Sequence, residues 1–321
     1  MDITITAKKN IAIGSASVME APDALKDVQN YYNEIDRPHV VISLLSSTAK
    51  SPTGKLQLCA SNTFLFSEAH GSEPRVIHEM WDNNMHLMKF TRTIKAGETY
   101  HFSVAGASIT SAHHDDPLNE AERSAIFAKL EGRERLISFH KKAWDELWKS
   151  DITIEGDPQA QQDVHSMLYH LYSFTREGTS LSPSPMGLSG LGYNGHVFWD
   201  TELWMYPSLL VLHPEMAKSL VEYRFQRLDA AKRNAFSKGY QGAMFPWESA
   251  ATGVEETPVW ALSGPFEHHI TACVAIAAWN YFCVTQDKTW LKEKGWPVLS
   301  ATADFWASRV ERNGAGHYDI N

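Results

Sequence analysis

Ser150-Asp151-Ile152-Thr153-Ile154-Glu155-Gly156-Asp157-Pro158 divides the chain into two parts of different character. Asp157-Pro158 has the form of an N-cap followed by proline at the first helical position, where a missing N–H costs no hydrogen bond. Beyond it the patterning is helical. Stretches 159–176, 199–211, 214–236, 265–285 and 288–311 are predicted helices, with Pro214-Glu215 and Asp287 marking further starts. No strand–helix–strand alternation occurs, so this part is all-α. Ten of the eleven tryptophans lie at or after Trp144, which places the aromatic load with the helices.

Before the break, 121–148 is rich in Ala, Glu, Lys, Arg and Leu. Ile126, Leu130, Leu136, Phe139, Ala143 and Leu147 fall at three-, four- or six-residue steps, as in one or two linking helices. Ahead of Asn119, stretches 3–13, 39–45, 56–66, 85–94 and 99–110 alternate polar with β-branched, aromatic or leucine positions. Ser51-Pro52-Thr53-Gly54 and Lys95-Ala96-Gly97-Glu98 separate them as turns. The rhythm is that of all or part of an antiparallel β-sandwich, with a polar face toward water. The expected organisation is therefore multidomain, β then α: a β domain over 1–118, a helical linker over 119–157 and an α domain over 158–321.

A chain of 321 residues is long for one core, which agrees with more than one domain. At 43% hydrophobic and 21% charged it has the balance of a globular protein. The net charge of −9 supplies no attraction to nucleic acid or to an anionic membrane. Cys59, Cys273 and Cys283 are too few and scattered for a disulfide framework or a metal clip, and the last two read as small buried apolar residues. MDITITAKKN lacks the apolar core of a signal peptide, and no run approaches membrane-spanning length. As written, the chain reads as cytoplasmic; an export signal ahead of it would make it periplasmic or secreted.

Three segments carry candidate chemistry. Residues 187–202 read Gly-Leu-Ser-Gly-Leu-Gly-Tyr-Asn-Gly-His-Val-Phe-Trp-Asp-Thr-Glu. Glycines let backbone approach a ligand, and the segment then delivers Trp199, Asp200 and Glu202 at a helix start. Asp200 suits an N-cap equally well. Yet an aromatic beside an acid is what sugar recognition needs: the ring stacks on pyranose C–H groups and the carboxylate accepts from hydroxyls. A phosphate-cradling loop lacks its Gly-Lys-Ser/Thr ending and its βαβ frame. Residues 239–257 repeat the pairing as Trp247-Glu248 and add Glu255-Glu256, adjacent acids that suit either a solvated loop or the lining of a pocket. Gly264-Pro265-Phe266-Glu267-His268-His269 ends in two histidines that point different ways on a helix, so they chelate no metal well.

At these segments the chain resembles glycoside hydrolase family 65, the α-glucoside hydrolases and phosphorylases. The likeness rests on residues 192–202, on Gly-Ala-Met-Phe-Pro-Trp-Glu-Ser-Ala at 242–250, and on Glu255-Glu256-Thr257-Pro258. Leu168-Tyr169-His170-Leu171-Tyr172 and Arg176-Glu177-Gly178 extend it, so that it runs from about Trp144 onward. The resemblance implies a β-sandwich, a helical linker and an (α/α)6 toroid, of which this chain would hold part of the sandwich and the first half of the toroid. It implies that Trp199, Asp200, Trp247 and Glu248, with His196 and His269, bind the glucosyl unit. It implies inverting chemistry on an α-linked gluco-oligosaccharide or disaccharide, with no metal or organic cofactor. The family's general acid is a glutamate expected beyond Asn321, so no catalytic residue is assigned here and the chain alone is expected to be inactive.

Residues 246–250 and 260–269 look more like the hydrolase branch, the kojibiose hydrolase-like one, than the phosphorylases. The rival readings are a disaccharide phosphorylase releasing glucose 1-phosphate and a catalytically silent sugar-binding fragment. Half a toroid would leave apolar helix faces open, so self-association is expected, and a homo-oligomer is left open.

Overall fold

A computed structural model describes residues 1–190 and 192–320; Leu191 of the glycine-rich segment and Asn321 lie outside the described residues. The chain forms two compact units, Met1–Glu146 and Leu147–Asn321.

The first unit contains β1 (Asp2–Thr6), β2 (Ile11–Glu20), β3 (Lys26–Arg37), β4 (Val40–Lys50), β5 (Gln57–Phe66), β6 (Ile77–Met80), β7 (Met85–Ile94) and β8 (Thr99–Thr110), then α1 (Pro117–Glu131). One antiparallel sheet has the order β1-β8-β5-β4-β3 and the other β2-β7-β6. Leu45, Phe64, Met88, Phe90, Ile94 and Phe102 fill the core between them. Phe90 meets Phe64 and Phe102 edge-on at 5.1 and 5.0 Å, an arrangement that the ring quadrupoles favour. The expected turns are present: Gly54 and Gly97 adopt φ of 74° and 83°, values that cost glycine little.

Several expectations for this unit need correction. Stretch 3–13 is two strands in different sheets, β1 pairing with β8 and β2 with β7. β3 and β6 were not anticipated. Both are edge strands, whose free side tolerates the polar run Lys-Asp-Val-Gln-Asn-Tyr-Tyr-Asn-Glu-Ile-Asp-Arg. The sheet is also not solvated along β4, whose residues 42–49 are buried on both faces. Helix α1 packs on β4, β5 and β8, and Ala125 joins Ile42 and Leu44 in a second small core. The linking helices are two, because Gly132 at φ 78° ends α1 before α2 (Arg133–Leu147).

The second unit is helical. α3 (Pro158–Phe174) starts as anticipated: the Asp157 carboxylate accepts from the amides of Gln159 and Ala160. α4 (Tyr206–Leu212), α5 (Pro214–Gln226), α6 (Leu228–Ser237), α7 (His269–Thr285), α8 (Lys288–Trp290) and α9 (Trp296–Arg309) follow. α4 packs on α5, α5 on α7, and α7 on α9. Stretch 214–236 is two helices, broken at Arg227, whose side chain lies 3.7 Å over the Tyr223 ring and donates to the Ala250 carbonyl. Stretch 265–285 opens with a 3₁₀ turn at Gly264–Phe266 before α7 begins.

Stretches 199–211 and 288–311 each contain a wide π turn, Thr201–Met205 and Leu291–Gly295. Each is followed by an aromatic-proline pair, Tyr206-Pro207 and Trp296-Pro297. Proline lacks the amide for an i−4 bond and its ring crowds that carbonyl. The widened turn moves the preceding bonds to i−5, as from the Tyr206 amide to the Thr201 carbonyl and from Trp296 to Leu291. The last helix stops at Arg309, and β9 (Glu311–Arg312) pairs with β10 (Tyr318–Asp319). Cys273 is buried as expected, but Cys283 is exposed on α7. Among the described residues, no helix is long and apolar enough to cross a membrane.

Candidate functional site

Two of the segments singled out from sequence are joined directly. The Val197 amide donates to the Ser249 carbonyl at 2.8 Å, and the Ser249 amide returns a bond to Val197 at 2.9 Å. Residues 196–202 and 247–250 therefore lie side by side. The longer loop is anchored to the helices by its backbone. Ala243 donates to the Ala301 carbonyl of α9, Met244 to Ala231 of α6, and Phe245 to the Thr271 hydroxyl of α7. A buried loop must satisfy its polar backbone in this way. Gly242 makes that approach possible: at φ 68°, a Cβ there would collide with the Ala301 carbonyl and the Phe305 amide.

The aromatic residues converge. The Trp199 and Trp247 rings lie 6.4 Å apart at 36°, and His269 stands edge-on to both at 4.9 and 5.5 Å. Trp204 flanks Trp199 at 5.9 Å and is 66% exposed. The adjacent histidines separate, as helix geometry requires. His268 turns to Tyr240 and Phe305 and accepts from Arg309, and burial holds its pKa below the ordinary histidine value. His269 faces the two tryptophans.

Three acids of these segments are committed to the protein. Glu202 is buried and forms a two-point bond with Arg224 of α5, at 2.6 Å to Nε and 3.0 Å to Nη2; Nη2 also donates to the Phe198 carbonyl at 3.2 Å. Burial opposes the Arg224 charge, and Glu202 more than offsets that, raising the guanidinium pKa above its ordinary value. Glu248, 4% exposed, lies 2.7 Å from His196 Nδ1. Glu255 accepts from the amides of Trp247 (2.9 Å), Glu248 (3.1 Å) and Thr257 (3.2 Å) and from the Thr257 hydroxyl (2.6 Å).

Asp200 differs. It makes no N-cap bond, so the capping alternative is not realised, and among the described residues its half-buried carboxylate has no hydrogen-bond partner. Arg224 was missed by sequence reasoning, since an arginine in an amphipathic helix reads as surface. Glu255 was noted only as one of two loop acids, and nothing in its spacing reveals the backbone it holds. Among the described residues, no group of three or more His, Cys, Asp or Glu is placed to hold a metal ion.

Residues 165–321 match the glycosyl hydrolase family 65 central catalytic domain. The whole chain aligns with kojibiose hydrolases of Mucilaginibacter mallensis at 72% identity and of Flavobacterium johnsoniae at 60%. It spans 47% of the length of each. A kojibiose phosphorylase of Thermoanaerobacter brockii is 37% identical over 79% of this chain and 36% of its own length. A solved structure described as a kojibiose phosphorylase from human microbiome superposes with a TM-score of 0.78 at 19% identity, over 98% of this chain and 41% of that one, which shows a shared fold. An antiparallel β-sandwich followed by part of a helical toroid is thus the architecture, and its residues 165–321 are those that match the glycosyl hydrolase family 65 catalytic domain.

Proposed function

We propose that Trp199, Asp200, Trp247 and Glu248, with His196 and His269, form the glucose-holding wall of an inverting α-glucoside hydrolase acting on α-1,2-linked glucose such as kojibiose. The observation that carries this reading is the Asp200 carboxylate, next in sequence to Trp199 of the indole pair and without a hydrogen-bond partner among the described residues. Glu202, Glu248 and Glu255 are each bonded within the protein, whereas Asp200 is left to accept from a ligand. A pyranose offers what this wall lacks: apolar C–H faces for the indoles and paired hydroxyls for the acid. None of the four acids is assigned the role of general acid, and residues 119–157 serve as linker between 1–118 and 158–321. The 60–72% identity to kojibiose hydrolases against 37–44% to kojibiose phosphorylases favours water over phosphate as the attacking group. Incubating the full-length protein with kojibiose, with and without phosphate, tests this. Glucose released at the same rate in both supports hydrolysis, and glucose 1-phosphate formed only with phosphate assigns the rival phosphorolysis.

A further inference from the structure

We propose that a single water molecule is a fixed part of the second unit, held between Arg224 of α5 and Trp290 of α8. The inference does not depend on the sugar reading. Arg224 is 2% exposed, and its Nε and Nη2 are taken up by Glu202 and Phe198, whereas the buried Nη1 has no acceptor among the described residues. Trp290 is 4% exposed, and its indole N–H is likewise buried without an acceptor among the described residues. Both side chains line one internal cavity, together with Glu202 and otherwise only valine and alanine. Buried donors are nearly always paired, by protein or by ordered water, so two orphans on one cavity need a common explanation.

The cavity has ≈ 10 Å³ in which a water can be centred, room for one molecule and no more. The occupant must accept from Arg224 Nη1 and from Trp290 Nε1. A halide could do so, but Glu202 lines the same cavity and already balances the Arg224 charge, so an anion there would face a carboxylate. Water accepts both donors and returns a hydrogen to a Glu202 oxygen, giving the three bonds typical of buried water. It thereby ties α8 to the guanidinium that holds the Phe198 carbonyl, one residue before Trp199.

The test is a crystal structure of the full-length protein at a resolution that shows ordered water, from crystals grown with and without bromide. The expected result is one oxygen within hydrogen-bond reach of Nη1 and Nε1, present in both crystals and without anomalous signal. An anomalous bromide peak at the site, a bare cavity, or a protein acceptor found on Nη1 would each overturn the proposal.

Discussion

The Glu255 carboxylate accepts the backbone N–H of Trp247 at 2.9 Å, so an acid eight residues along the chain sets where the second indole of the aromatic pair stands. The same carboxylate holds the Glu248 and Thr257 amides and the Thr257 hydroxyl, four donors that lose their acceptor together if it is removed. Glu255→Ala is therefore expected to weaken glucose binding by about tenfold or more, since a hydrogen bond to a charged group contributes roughly 1.5–3 kcal/mol. Calorimetric titration of the full-length protein with glucose checks it. An unaltered Kd would show that Trp247 keeps its place unaided.

Asp200→Asn separates binding from folding. With no side-chain partner to lose among the described residues, the variant is expected to unfold within about 0.5 kcal/mol of the parent, as for most substitutions away from structural contacts. Its glucose affinity should still fall by about an order of magnitude. A large loss of Tm with binding intact would assign Asp200 to the scaffold instead.

Glu202→Gln leaves Arg224 as a buried charge without its counter-ion, which costs about 3–5 kcal/mol. The double change Glu202→Leu with Arg224→Met removes both charges and should recover most of that loss. Chemical denaturation of the parent and both variants gives the answer, and a single variant as stable as the parent would contradict the clamp.

The first unit carries a pH dependence of its own. His86 is fully buried, 2.9 Å from the Ser47 hydroxyl and 3.3 Å from His78. Burial, with His78 adding a smaller effect, depresses its pKa from 6.5 to about 4. Below pH 6.5 the unfolded chain takes up a proton that the folded chain refuses until about pH 4. Stability is thus lost as pH falls through that window, by on the order of 3 kcal/mol at most. Melting temperatures of the parent and His86→Gln from pH 7 to pH 4 should converge, and parallel curves would refute the assignment.

Residues 1–321 alone expose large apolar side chains, among them Phe236, Val259, Trp260 and Leu262 at 78–93%. Self-association of this 321-residue chain is expected on that ground. Light scattering decides it, a monodisperse monomer with cooperative melting being the contrary result.

What was legible in the sequence follows from physics that acts locally. Alternation and turn glycines exposed β5, β7 and β8, and Asp157-Pro158 and Asp287 announced their helices by capping chemistry that needs only neighbouring residues. β3 was hidden because an edge strand need not alternate, and the double burial of β4 was hidden because α1, remote in sequence, covers it, with Glu122 accepting from Ser46 across 76 positions. The π turns were announced by Pro207 and Pro297, a signal present in the sequence but read as continuous helix. At the site, Trp199, Asp200 and Trp247 were legible as types suited to sugar. The bonds that fix them, from Arg224 and Glu255, were not, since each joins groups whose meeting depends on the folded chain.

The most direct measurement of the central claim is the structure of the full-length protein with glucose bound. The account predicts a pyranose against the Trp199 and Trp247 indoles with two hydroxyls donating to the Asp200 carboxylate. Glucose bound elsewhere, or Asp200 without a hydroxyl partner, would contradict it.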